Sequence, residues 1–272
     1  MIRNIVYAII FAGTLGSVWV QAQTQHILSE EAKNGDFILF EDLDFPHQFL
    51  YRTFEGNPIS HVGLVIEGNK EEGIGEDGEK YIMHAVGKHA FLTRSINPSK
   101  KEGIVIDPLV PYIEEALKSK TDQNRVYIRV KRKEIAYGKE RDNFYGWARR
   151  MLGRPYDSAA ADRLFLKPVT PLFPQPINPL PFYKEKPEII EPKSASCSGF
   201  LTSFCISGHL ISPPINRPNL QKMTRAEYGA WVNYQATTPP DFLKDTRLNL
   251  GPTYNRAIQI VIPKETPPKN KK

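Results

Sequence analysis

The chain has 272 residues, of which 40% are hydrophobic and 24% charged, and it carries a formal net charge of +6. This length and composition fit a globular protein with one large domain or two small ones. The positive balance is compatible with an anionic partner. However, the sequence has no RNA-binding aromatic motif, helix-turn-helix pattern or zinc-finger spacing, so we expect no nucleic-acid partner.

The N-terminal residues 1–22 have the pattern of a secretory signal peptide. One positive charge in "MIRN" precedes the apolar run "IVYAIIFAGTLGSVWV", and small residues in "VQA" lead to a cleavage site after Ala22. A membrane anchor is the alternative, but the apolar run of about 16 residues is short for a span. We therefore expect a periplasmic or secreted protein with no stable membrane span once the signal is removed.

Six short apolar segments are typical of strands. Two of them, 60–67 and 80–86, flank the charged, glycine-rich stretch 68–79, and this arrangement predicts a hairpin. Asp36 stands just before the first apolar run, where we expect it to shape the turn into that strand. The predicted strands are 34–42, 60–67, 80–86, 103–109, 125–131 and 256–263.

Three segments have helical spacing or helix-start signals. Residues 110–119 and 139–153 show apolar residues at intervals of three and four, and 196–207 follows a serine-rich start. Strands and hairpins come first along the chain, then helices, then a last strand. This order predicts an α+β fold with a mainly antiparallel sheet packed against helices.

Domain organisation follows from the proline distribution. We predict one domain over residues 23–263, interrupted by a proline-rich segment at 167–193 that contains eight prolines between Pro168 and Pro192. Such a segment is typical of an insertion or lid on the surface. The basic residues 264–272 are predicted to be a disordered tail.

The chain has two cysteines, Cys197 and Cys205. On one helix, their eight-residue separation corresponds to about 12 Å, whereas a disulfide needs Cα atoms within about 7 Å. We therefore expect two free thiols. Cys205 lies in the apolar stretch "FLTSFCISG" and is predicted to pack in the core, whereas Cys197 has small, polar neighbours.

Cys197 is the candidate nucleophile because it stands at a predicted helix start. Ser194 or Ser196 can cap that helix, and its first N–H groups are expected to lower the pKa of the thiol and to hold an oxyanion. His61, at the head of a strand, is the candidate base. His84, on the neighbouring strand of the hairpin, is the candidate group that orients the far nitrogen of His61.

Five motifs in order carry a family resemblance: "NGDFILFED", "ISHVGLVIE", "YIMHAVG", "LGRPYD" and "SCSGFL". Together they resemble permuted NlpC-type papain-like cysteine hydrolases, closest to the YiiX/YebB-like branch, and they are similar in arrangement to the lecithin retinol acyltransferase family. The resemblance covers residues 34–207. It implies a circularly permuted papain-like fold with Cys197 as nucleophile, His61 as base and His84 as third polar residue.

The third position differs within that group. The YiiX-like branch often has a glutamate there, whereas His84 has the residue type of the acyltransferase-like branch and of many NlpC enzymes. A neutral imidazole can accept a hydrogen bond from His61 and set its tautomer, but it supplies no anion to stabilise an imidazolium.

Other interpretations of these residues stay open at this point. Cys197 can be a small buried residue, and His61 and His84 can be core histidines. His61, His84 and Cys197 also match the ligand types of zinc, but no CxxC or HxxxH spacing accompanies them, and we expect no metal or cofactor. Tyr156 in "RPYD" either lines the cleft or packs the helix end.

The predicted function is an exported thiol hydrolase that cleaves an amide bond in cell-wall peptides through an acyl-enzyme. The alternative enzyme is a lipid acyltransferase or deacylase that uses the same cysteine and histidine, with the stretch 171–183, "PLFPQPINPLPFY", as an apolar trough. The non-enzymatic alternative is an envelope binding module. The partner is thus a peptide, peptidoglycan or a lipid-like acyl compound, and the sequence leaves the oligomeric state open.

Overall fold

The structure is a computed structural model. It describes residues 31–41, 59–87, 102–118, 125–135, 138–157, 193–208, 239–243 and 250–260, together with Leu210, Thr237 and Leu248. Within these residues the chain forms one six-stranded antiparallel sheet and three α-helices. The predicted α+β class is confirmed at this level.

All neighbouring strands of the sheet are antiparallel, and they lie in the order β4-β3-β2-β1-β5-β6. Each strand falls within the corresponding predicted segment or starts one residue before it. The hairpin between β2 and β3 also forms as predicted. The strands are β1 Phe37–Glu41, β2 Ile59–Glu67, β3 Lys80–Val86, β4 Gly103–Pro108, β5 Arg125–Arg129 and β6 Ile258–Ile260.

The helices of the described ranges are α1 Leu109–Lys118, α2 Lys139–Met151 and α3 Cys197–Ser207, and a 3-10 turn covers Pro239–Phe242. All three helices match predicted segments to within two residues at each end. Gly153, just beyond α2, adopts a φ of 78°, which favours glycine and ends the helix. No helix in this part of the chain has both the length and the apolar character needed to cross a bilayer.

Both faces of the sheet are covered, and alternate residues of each strand go to opposite faces. Helix α1 packs on one face, and helices α2 and α3 contribute to the core on the other. The α1 face is built from Ile38, Phe40, Val65, Ile82, Tyr112 and Ile113. The α3 face is built from Phe37, Leu39, Val62, Leu64, Met83, Trp147, Phe200 and Phe204.

Asp36 shapes the turn into β1, as predicted. Its Oδ2 accepts a hydrogen bond from the backbone N–H of Lys33 at 3.0 Å, and its Oδ1 accepts one from the N–H of Lys131 at 2.7 Å. Gly35 precedes it with a φ of 92°, a conformation that glycine adopts at little cost. The buried carboxyl thus joins the start of β1 to the segment after β5.

We expect the stability of the fold to depend on Asp36 between pH 4 and pH 6. Burial raises the pKa of Asp36 from 3.8 to about 6, although the two N–H groups oppose this shift. The folded state therefore binds a proton that the unfolded state has lost in this range. The contribution of Asp36 to stability is full below pH 4 and falls by about 3 kcal/mol as the pH passes 6.

The measurement is urea unfolding of the wild type and of Asp36→Asn at several pH values. The difference in unfolding free energy between the two should change in favour of the variant as the pH rises from 4 to 6.5. A difference that does not vary with pH would show that Asp36 does not titrate in this way.

Several predicted segments lie outside the described residues. They are the signal peptide 1–22, the proline-rich segment up to residue 192, and the tail 264–272. The single-domain assignment for residues 23–263 stays a prediction.

Candidate active site

Cys197 is the first residue of α3, and the start of this helix is capped. The Ser196 hydroxyl accepts a hydrogen bond from the backbone N–H of Gly199 at 3.1 Å, which satisfies one of the N–H groups that the helix itself leaves unpaired. Cys205 is fully buried in the core, and both cysteines are free thiols, as predicted. The capped start thus fixes the position of the Cys197 backbone.

A buried polar network also holds the first turns of α3. The Ser198 hydroxyl donates to the carbonyl of Thr237 at 2.9 Å, and the Thr202 and Thr237 hydroxyls are 2.8 Å apart. Because these side chains are buried, their hydrogen bonds must form for the segment to pack. The start of α3, which carries Cys197, is therefore held both by its Ser196 cap and by hydrogen bonds to Thr237.

His61 and His84 lie in contact on neighbouring strands. His61 Nε2 is 2.8 Å from His84 Nδ1, within hydrogen-bonding distance. Both rings lie on the α1 face of the sheet, since Phe40 is paired with His61 and Tyr112 packs edge-on against His84 at a ring distance of 4.8 Å. The arrangement has the geometry expected of a base and its orienting group, while the catalytic roles stay predictions.

Asp107 completes this group, and sequence reasoning missed it. Its Oδ2 lies 3.0 Å from His84 Nε2, and both side chains are fully buried. Asp107 is paired with Ile82 in the sheet, so it lies on the same face as His84, one diagonal step away. A carboxyl group thus lies behind His84, which by itself supplies no anion. The only sequence signal was an acidic residue at the end of an apolar strand, just before Pro108.

The Cys197 thiol lies beside the backbone of the residue that follows His61. The amide of Val62 is within hydrogen-bonding reach of the sulfur. Val62 pairs with Leu39 of β1, whereas the ladder between β2 and β3 covers Leu64–Glu67. The sulfur therefore contacts β2 beyond the end of that ladder.

The candidate nucleophile Cys197 and the candidate base His61 lie on different faces of the sheet. Cys197 belongs to the cluster on the α3 face, together with Val62, whereas the His61 ring packs with Phe40 on the α1 face. Among the residues that the structure describes, no hydrogen bond joins the Cys197 Sγ to the His61 ring. The structure thus brings the two residues to the same end of the sheet without direct contact between their reactive atoms.

The thiol of Cys197 is protonated at neutral pH. Burial raises its pKa to about 11, although hydrogen bonds from the backbone N–H groups of Val62, Ser198 and Cys197 act in the opposite direction. The predicted lowering of the pKa by the helix start is therefore wrong for this state of the protein, because desolvation of the thiolate outweighs the N–H groups.

His61 is neutral at neutral pH. Burial lowers its pKa well below the usual 6.5, and a positive charge on His84 would lower it further, while Asp107 acts in the opposite direction. The candidate pair is thus a thiol and an unprotonated imidazole. Such a pair can react if the imidazole takes the proton as the sulfur attacks.

Tyr156 lies near the thiol. Its strand-like bridge to Ala195 places the "RPYD" motif beside the start of α3, and its ring lies against Gly87, where an added Cβ would be 3.2 Å from the ring. Burial raises the pKa of the Tyr156 hydroxyl, and the charge of a Cys197 thiolate would raise it further. Of the two interpretations left open for this motif, the structure favours a position at the candidate site.

Alkylation of Cys197 by iodoacetamide is expected to accelerate about tenfold per pH unit from pH 7 to pH 9.5, because only the thiolate reacts and its fraction rises up to about pH 11. Burial raises the pKa of Cys205 still further, so Cys205 should react more slowly at each pH. Mass spectrometry of labelled peptides separates the two sites. A rate for Cys197 that levels off near pH 8 would contradict this expectation.

Among the described residues, no group of three histidine, cysteine, aspartate or glutamate side chains is arranged to hold a metal ion. No protein-family model matches the chain, and no curated protein matches it significantly.

Proposed function

We propose that this protein is an exported thiol hydrolase of the permuted papain-like type, with Cys197 as nucleophile, His61 as base and His84 as the residue that orients the base. One observation carries the proposal. The sulfur at the start of α3 lies beside the Val62 amide, directly after His61, whose imidazole Nε2 is 2.8 Å from His84 Nδ1. The order of the sequence motifs supports the same assignment.

The proposed reaction requires the Cys197 thiol and the His61 imidazole, which lie on different faces of the sheet, to come into contact past the end of the β2–β3 ladder. The sulfur attacks the carbonyl carbon of the substrate as its proton passes to His61, and N–H groups at the start of α3 hold the oxyanion. The C–N bond then breaks, and His61 gives the proton to the leaving amine. Water next attacks the thioester and gives one proton to His61. The C–S bond then breaks to release the acid, and His61 returns its proton to the departing sulfur, which restores the thiol and the neutral imidazole.

The proposed substrate is an amide bond in cell-wall peptides. The family resemblance and the predicted export support this class. Removal of residues 1–22, which contain Arg3 and no acidic residue, would leave a net charge of +5, which suits an anionic wall polymer. The alternative enzyme, a lipid acyltransferase or deacylase, rests on the apolar stretch 171–183, which lies outside the described residues. The binding-module alternative is favoured by one observation, the raised pKa of the buried Cys197 thiol.

The test is digestion of purified muropeptides and, in parallel, of phospholipid vesicles, with products identified by mass spectrometry. Release of a peptide amine by the wild type and not by Cys197→Ala is the expected result. Release of fatty acid instead would replace the proposal with the lipid alternative. Substrate binding without release of either product would favour the binding module.

A further inference from the structure

We infer that Asp107 is a positioning residue that sets the tautomers of both histidines and so leaves Nδ1 of His61 free to accept the thiol proton. This inference rests on the proposed function for its catalytic meaning. The inferred positions of the ring protons of His61 and His84 belong to the resting protein and can be measured without a substrate.

Three side chains form a continuous hydrogen-bonded chain across β2, β3 and β4. Asp107 Oδ2 is 3.0 Å from His84 Nε2, and His84 Nδ1 is 2.8 Å from His61 Nε2. Asp107 and His84 are fully buried. Each nitrogen of His84 thus has a defined partner, and only Nδ1 of His61 lies outside these two contacts.

The direction of the chain follows when Asp107 is ionised and His84 is neutral. An ionised carboxylate only accepts hydrogen bonds, so His84 must carry its proton on Nε2. A neutral His84 then has a lone pair on Nδ1, and His61 must donate to it from Nε2. The remaining nitrogen of His61, Nδ1, is left unprotonated, which is the state that a general base requires.

The surroundings keep these rings in place. Phe40 packs against the His61 ring at 5.7 Å, and Tyr112 packs edge-on against His84 at 4.8 Å. Gly63 lies on the same face of β2 as His61, and an added Cβ there would come within 2.5 Å of the Ile82 side chain and 3.3 Å of the His84 Cβ. These contacts restrict the motion of both imidazole rings.

Asp107 also supplies the negative charge that His84 alone does not. Its charge acts on His61 across His84, since it opposes the lowering of the His61 pKa that burial causes. When His61 takes the thiol proton, the imidazolium thus has a buried carboxylate behind its hydrogen-bonding partner.

The experiment is ¹⁵N NMR of the histidine rings in the full mature chain, in the wild type and in Asp107→Asn and Asp107→Leu. In the wild type, His61 should show an unprotonated Nδ1 and a protonated Nε2. The asparagine amide can donate to His84 Nε2, which would reverse the direction of the hydrogen bonds along the chain. Leucine instead removes the group that accepts from His84. Both variants should shift protonation towards Nδ1 of His61.

In the muropeptide assay, we expect Asp107→Asn to lose about 10²–10⁴-fold in kcat with little change in KM. Asp142→Asn, on the exposed side of α2, removes the same charge far from the chain of hydrogen bonds and should alter neither the spectrum nor kcat.

A wild-type spectrum with a protonated Nδ1 on His61 would overturn the inference, as would variants whose His61 tautomer and kcat match the wild type. If the predicted tautomers are found but the wild type hydrolyses nothing, the proposed function fails and the proton arrangement stands.

Discussion

Replacing Cys197 with alanine is expected to lower kcat of the proposed hydrolysis by about 10⁴–10⁶-fold, because the alanine methyl group cannot form the acyl-enzyme. The change removes one buried sulfur at a helix start whose cap, Ser196, stays in place. We therefore expect an unfolding free energy within about 1 kcal/mol of the wild type. Single-turnover digestion of the susceptible substrate and urea unfolding check the two parts.

Cys205→Ala is the matched control. Cys205 lies on the same helix, two turns further on, and is fully buried in the apolar core. We expect this variant to lose about 1–2 kcal/mol of stability by leaving a small cavity, and to keep wild-type kcat. A Cys197→Ala protein that still turns over at the wild-type rate would exclude Cys197 as nucleophile.

The largest expected effect on stability is at Phe37. Its fully buried ring stacks on Tyr254 at 4.3 Å and meets the rings of Phe242 at 5.6 Å and Phe204 at 6.2 Å, both edge-on. One side chain of β1 thus joins α3, the 3-10 turn and the segment before β6. Phe37→Ala should reduce the unfolding free energy by about 3–5 kcal/mol. The substitution leaves a cavity that borders three separate elements, which cannot all shift to fill it.

Urea unfolding followed by tryptophan fluorescence measures this loss, and Phe37→Leu is the conservative comparison, with an expected loss of about 1–1.5 kcal/mol. Because Phe204 belongs to α3, the alanine variant should also lower kcat even when folded, through misplacement of Cys197. A loss below 1 kcal/mol for Phe37→Ala would show that the surrounding rings close the cavity and that this contact does not hold the layers together.

The strands, helices and hairpin were predictable because each has a strong local pattern. The apolar runs of β2 and β3, separated by a charged, glycine-rich stretch, place His61 and His84 on adjacent strands without any knowledge of the tertiary structure. The serine before Cys197 likewise marks the helix start that the structure shows. In these cases the sequence pattern that predicts the element lies within about ten residues of it.

What escaped prediction depends on packing between distant segments. The role of Asp107 follows from the register between β3 and β4, in which Ile82 pairs with Asp107 and His84 with Val105. The raised pKa of Cys197 follows from burial, which a helix-start pattern does not reveal. The approach of Cys197 and His61 from two faces also depends on which face of the sheet each helix covers.

The Val62 amide lies within hydrogen-bonding reach of the Cys197 sulfur. The electron density on this sulfur changes during the proposed reaction. Once the sulfur carries an acyl group, it is a poorer acceptor, and the Val62 amide must find a new partner. Acylation of Cys197 would therefore change the environment of the strand that bears His61, and amide exchange at Val62 would report on the chemical state of the sulfur.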